Sequence, residues 1–284
     1  MTRNSPRRFA SLARAIIAIG LLTAASVMGN PFFAFDNGIG NSRPPAKQAA
    51  LLKELGFDGI GYTGTENFAE RSKAFEEQGL RIFNLYVPCF VDQPVPYDPK
   101  MKDAIRALKG TGVDLWLTVQ GKAPDDTVAV RVVREIADEA AAAGVRVALY
   151  PHKGFFVTTT EDALRILRQV DRPNVGVTIN LCHELAAGNA DRMDQIVKAC
   201  APHLFYVSIN GADRTGGGWA ELIRPLDAGN FDLPGFLKSL GAVGYQGAIG
   251  LQCFRVPGAP EEHLKRSITK WKEIRGLIVE PVKP

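Results

Sequence analysis

Five times in this chain a helical tail runs into a glycine and then into a short apolar stretch: "LKELGFDGIGY", "EEQGLRIFNLY", "KGTGVDLWLTV", "AAAGVRVALY" and "GAVGYQGAIGLQ". A glycine in that position accepts the left-handed backbone that closes a helix without a Cβ penalty. The unit is therefore helix, cap, strand, and strands that alternate with helices must pair in parallel. Between the strands the apolar residues keep a helical period. Met193, Val197 and Cys200 recur at i, i+4, i+7, as do Leu264, Ile268 and Trp271, while Leu164, Leu167 and Val170 recur every third position. Thr158 with Glu161 has the spacing of a capping box.

Strands are expected near 32–36, 57–62, 81–87, 113–120, 146–152, 175–180, 204–210 and 246–253, each followed by a helical segment. Eight such units in residues 30–284 match a single-domain α/β fold, the (β/α)8 TIM barrel. An open doubly wound sheet is the alternative, but no G-x-G-x-x-G turn follows the first strand. The barrel directs the search for function to the C-terminal ends of its strands.

Residues 1–29 are set apart as a secretory leader: a basic opening with Arg3, Arg7, Arg8 and Arg14, the apolar run "AIIAIGLLTAASVM", then small residues. The protein is accordingly expected to be exported, to the periplasm or the cell exterior. Removing those four arginines and no acids takes the formal charge from +4 to 0, so no basic face remains for nucleic acid. Cys89, Cys182, Cys200 and Cys253 form no C-x-x-C pair, which argues against a zinc knuckle and leaves any disulfide pairing open.

Alternation along each strand separates a helix-facing set from an interior set. Val113, Leu115, Leu117 and Val119 face out in the fourth strand, leaving Asp114, Trp116, Thr118 and Gln120 inside. By the same rule Phe205, Val207 and Ile209 face out in the seventh, with Tyr206, Ser208 and Asn210 inside. The rim then carries Gln120, His152, Asn180, Asn210 and Gln252, joined by Asn84 and Tyr86 from the third strand, with Tyr150 just below and His183 three residues past the sixth. Five polar residues in register on five successive strands are hard to explain as loop caps, since an unpaired buried amide costs roughly 1–3 kcal/mol. Amides beside Tyr86, Tyr150 and Trp219 suit a carbohydrate, with polar edges and apolar ring faces. His203 precedes its strand and His263 lies on the last helix; both read as structural.

"RPLDAGNFDLPGFLKSLGAVGYQGAIGLQCF", "ALYPHKG" and "VTINLCHE" together resemble the xylose isomerase-like barrels, which include sugar epimerases, hydroxypyruvate isomerase and endonuclease IV. The resemblance spans residues 32–277, although Asp227 and Ala228 interrupt the glycine-rich turn that the first stretch otherwise matches. It implies a divalent metal held by carboxylates of the fifth, sixth and eighth strands and a histidine. The matching positions here hold Tyr150, Asn180, Gln252 and His183, so three expected carboxylates are absent. Neutral amides poorly offset the dehydration of a hard cation, and a metal is disfavoured; His152, His183 and Asp36 are the residues left for a softer one such as zinc. The expected chemistry is instead isomerisation or epimerisation of a neutral, possibly keto, sugar, or hydration of an unsaturated keto sugar, with His152 and His183 as base and acid and Lys153 polarising a carbonyl or an oxyanion. The alternative is a carbohydrate-binding barrel without catalysis. A DNA-repair role fits neither the neutral charge nor the absent metal ligands, and oligomeric state is left open.

Overall fold

The computed structural model describes Met1, residues 29–40 and residues 43–278, so most of the leader lies outside the described residues. Eight strands close into one parallel barrel in chain order: β1 (Phe32–Phe35), β2 (Gly59–Thr63), β3 (Arg81–Phe90), β4 (Asp114–Gln120), β5 (Val147–Leu149), β6 (Val175–Asn180), β7 (Leu204–Ile209) and β8 (Ile249–Leu251). Outside them run α1 (Pro45–Leu55), α2 (Phe68–Glu76), α3 (Met101–Ala107), α4 (Thr127–Ala142) and α5 (Thr160–Val170). The shell continues with α6 (Leu181–Ala186), α7 (Met193–Cys200), α8 (Trp219–Leu222), α9 (Leu233–Ala242) and α10 (Pro260–Ile274). The apolar stripes read from the sequence are buried on α5, α7 and α10. Among the described residues no helix is long and apolar enough to cross a membrane.

β5 and β8 are shorter than the sequence suggests. Tyr150 and Gln252 still donate single backbone hydrogen bonds to Leu117 and Ile209, both at 2.9 Å, but Pro151 has no N–H and ends β5. His152 thus sits in the loop leaving the strand. The cap of α5 is also displaced by one residue. Thr159 and Asp162 form the box, because the Thr158 hydroxyl donates to the Phe155 carbonyl at 2.8 Å.

Aromatic rings fill the barrel. Phe33 stacks on Phe83 at 4.6 Å, and Trp116 lies 5.0 Å from Tyr150 and 5.2 Å from Tyr206. Gly250 on β8 makes room for them: a Cβ there would come within 2.4 Å of Phe35 and 2.9 Å of Phe33. Two register slips contribute more. The pairing jumps between Ile60 and Gly61 on β2 against β3, and between Val177 and Thr178 on β6 against β7. Phe83 and Phe205 are the residues passed over, and such bulges break strict alternation. Phe205, expected to face the helices, instead packs against Gly176 and under the Arg146 guanidinium, 4.6 Å from its ring. Arg146 in turn donates to buried Asp114 at 2.6 Å, and Asp114 also accepts from the Tyr206 hydroxyl at 2.6 Å. This charged floor seals the end of the barrel away from the cavity.

All four cysteines are buried and unpaired, each pushed up in pKa by burial, so no disulfide staples the described fold.

Candidate active site

A cavity of about 450 Å³ opens at the C-terminal ends of the strands, within the usual range for small-molecule sites. Of the residues singled out by sequence, Asn84, Tyr86, Tyr150, His152, His183, Trp219 and Gln252 line it. The side chains of Gln120, Lys153, Asn180 and Asn210 do not. Gln120 donates to Thr118 at 2.9 Å, and the Asn180 carbonyl oxygen accepts from Ser208 at 2.8 Å. Asn210 donates to the carbonyls of Gly211 and Leu222 at 2.9 and 2.6 Å, pinning the base of the loop that carries Trp219. The Lys153 side chain is exposed.

Its backbone is another matter. The Lys153 N–H donates to His183 Nδ1 at 3.2 Å, and the Lys153 carbonyl oxygen lies 3.0 Å from His152 Nδ1. A carbonyl can only accept, so the proton of neutral His152 sits on Nδ1 and its Nε2 is a free base. An amide N–H can only donate, so the proton of neutral His183 sits on Nε2, which is a donor. The backbone of one residue, through its N–H and its carbonyl, therefore gives two adjacent imidazoles opposite characters. Their centroids are 3.9 Å apart, Phe155 stacks on His152 at 4.0 Å, and Trp219 stands 5.1 Å from His183.

Burial keeps both rings neutral. It lowers the His152 pKa, with the Lys153 carbonyl pulling weakly the other way, and burial together with the neighbouring His152 takes His183 down to about 2. In the unfolded chain a histidine protonates near 6.5, so His183 contributes stability above that pH and loses it as pH falls toward 2. The thermal midpoint should accordingly drop between pH 7 and pH 5, with His183 alone accounting for about 2 kcal/mol at pH 5. In His183→Gln the pH dependence should be visibly shallower.

Sequence reasoning passed over part of the wall. Trp116 was placed inside the barrel but not at the site, and Phe35, Asn37, Ile223 and Phe254 carried no signal beyond their position near strand ends or in a loop. Asp36, named only as a metal ligand, is the one acidic residue lining the cavity. Its two carboxyl oxygens accept from the Thr63 N–H and hydroxyl, each at 2.9 Å, yet burial raises its pKa. Among the described residues no lysine or arginine lines the cavity. The Gln252 carbonyl oxygen accepts from Asn37 and from the Phe254 N–H at 3.2 and 3.0 Å, which leaves its NH₂ to face a ligand. Deeper in, the Asn84 oxygen and the Trp116 indole N–H are buried without a protein partner.

These residues do not fit a divalent metal. At the positions where relatives would carry ligands, the Tyr150 phenol is held protonated by burial, the Asn180 and Gln252 oxygens are engaged, and His183 Nδ1 already accepts a hydrogen bond. Among the described residues no three His, Cys, Asp or Glu side chains converge to hold one. A hard cation requires anionic oxygens that this donor set does not supply.

The profile of the xylose isomerase-like TIM barrel family matches residues 49–274. No curated protein matches the chain in sequence. Among solved structures, a 3-keto-D-glucoside 4-epimerase from E. coli superposes with a TM-score of 0.71 at 18% identity, covering 86% of this chain and 99% of that one. A D-allulose 3-epimerase from Methylomonas sp., bound to D-allulose, gives 0.69 at 19% identity over 87% and 97% of the two chains. A D-psicose 3-epimerase from Clostridium cellulolyticum, bound to D-tagatose, gives 0.68 at 15% identity over 88% and 100%. At such identities the likeness is one of fold.

Proposed function

Since the chain belongs to the xylose isomerase-like TIM barrel family, we propose that it is a metal-independent epimerase or isomerase of neutral keto sugars. The observation that carries this reading is the pair of imidazoles polarised in opposite senses by the Lys153 backbone N–H and carbonyl, inside a cavity that no lysine or arginine of the described residues lines. A phosphorylated substrate would lack a counter-charge there. A neutral sugar has hydroxyls for Gln252 and Asn84 and apolar ring faces for Trp116, Tyr86 and Tyr150.

In this mechanism the substrate carbonyl oxygen accepts a hydrogen bond from His183 Nε2–H. The adjacent C–H bond breaks, its proton moves to His152 Nε2, and the electron pair passes onto the oxygen as an enolate. The Lys153 carbonyl stabilises the imidazolium that results. Asp36 directly follows β1, four strands from β5 in either direction around the closed barrel, and so serves the opposite wall. Its raised pKa suits it to return a proton to the other face of the enolate, which inverts the carbon.

The test is NMR detection of solvent deuterium entering D-allulose, D-tagatose and 3-keto-D-glucosides incubated with the protein, with and without added divalent metal. Exchange next to the carbonyl, unchanged by chelator, is the expected result. Binding without exchange would instead favour a carbohydrate-binding barrel, a reading supported by amides and a phenol at three positions where relatives would carry carboxylates. Exchange that appears only with metal would overturn the metal-free mechanism.

A further inference from the structure

Large apolar side chains are rarely left open on this molecule. Apart from Met1, the described residues with high exposure are Val95, Trp219 and Phe254, and the two aromatic ones both line the cavity. Trp219 is 40% exposed and Phe254 39% exposed. They come from the loops after β7 and β8, which are adjacent strands, so they belong to one sector of the mouth.

Each is held in place by its surroundings. Trp219 begins α8, and its loop is tied at the base by the Gly211–Arg224 bridge and by Asn210. Phe254 has its N–H on the Gln252 side chain, and the Arg255 guanidinium lies over its ring at 5.0 Å. Arg255 adopts a φ of 55°, a left-handed conformation that a residue with a Cβ rarely takes. Left in water, two such rings forgo the burial that normally stabilises an aromatic side chain. An arrangement that keeps them at the mouth, continuous with the aromatic wall inside, fits a ligand that extends past the inner chamber.

We propose that Trp219 and Phe254 form a second-ring subsite, and that the substrate is a glycoside whose keto-sugar ring occupies the inner chamber while its O-linked ring stacks at the mouth. This rests on the reading of the cavity as a keto-sugar site and narrows it from free sugars to glycosides. Among the described residues Asp36 is the one charged side chain lining the cavity, which suits a neutral inner ring.

The test compares 3-keto-D-glucose, its methyl glycoside and its phenyl glycoside, which share the inner ring and differ only in what reaches the mouth. Dissociation constants by isothermal titration should fall about tenfold from methyl to phenyl, the size of one or two aromatic contacts. In Trp219→Ala and Phe254→Ala the phenyl-to-methyl ratio should collapse toward one. Equal affinity for all three sugars in the unaltered protein overturns the subsite and leaves the keto-sugar reading standing. Binding of none of them overturns the subsite, and the exchange assay with D-allulose and D-tagatose then decides the broader reading separately.

Discussion

His152→Gln should lower the rate of deuterium exchange, or of turnover, by about 10²–10⁴-fold. Glutamine fills nearly the same space and can donate to the Lys153 carbonyl, but it cannot hold a proton taken from carbon. The thermal midpoint at pH 7 should change little, since His152 is only half-buried and lies outside the barrel strands. His183→Ala should cost about 10²–10³-fold by deleting the donor to the enolate oxygen. Because the two residues fail in different ways, their pH profiles separate them. A base of lowered pKa keeps the unaltered enzyme active below pH 6.5, with the rate falling as His152 itself protonates. An exchange rate that survives in His152→Gln would sink the assignment of that residue as the base.

The second large effect is expected at the far end of the barrel. Asp114→Ala should destabilise the fold by about 3 kcal/mol, the scale of breaking a buried ion pair. The substitution leaves the Arg146 guanidinium over Phe205 without its anion and removes one of the two acceptors within reach of the Tyr206 hydroxyl, the other being the Phe83 carbonyl at 3.1 Å. Arg146 is half exposed and water offsets part of the loss, which is why a value nearer the bottom of the 3–5 kcal/mol range is expected. For a domain of this length that lowers the thermal midpoint by roughly 6–12 °C. Sugar binding should persist at 20 °C, since the floor is separated from the cavity by the aromatic layer. A midpoint within 2 °C of the unaltered protein would show that the network is energetically silent.

The barrel was legible because its strands are short and apolar and five of them are preceded by their own glycine stop. Rim residues such as Asn84, Tyr150 and Gln252 followed from alternation along the strands. The rule failed where the chain slips: Phe205 and Phe83 sit at bulges, and no feature of "HLFYVSIN" or "LRIFNLY" announces a skipped pairing. Polar rim residues were equally ambiguous. Asn180 and Asn210 have the look of ligand-binding amides, yet neither lines the cavity: Ser208 takes the Asn180 oxygen and the loop after β7 takes the Asn210 NH₂. Asp36 and Phe254 lie past the strand ends, where period-two patterning gives no direction. Lys153 was singled out for its ammonium group, whereas its contacts with the histidines run through its peptide.

That last contact has a consequence for how this position can change over time. A peptide group is supplied by nearly every amino acid, so position 153 is free to drift in identity while its hydrogen bonds persist. Alanine scanning would pass over it as silent, and so would any comparison that looks for an invariant side chain. Proline is the exception. Lys153→Pro keeps the carbonyl that orients His152 but deletes the N–H that orients His183, releasing one imidazole to choose its own tautomer while the other stays committed.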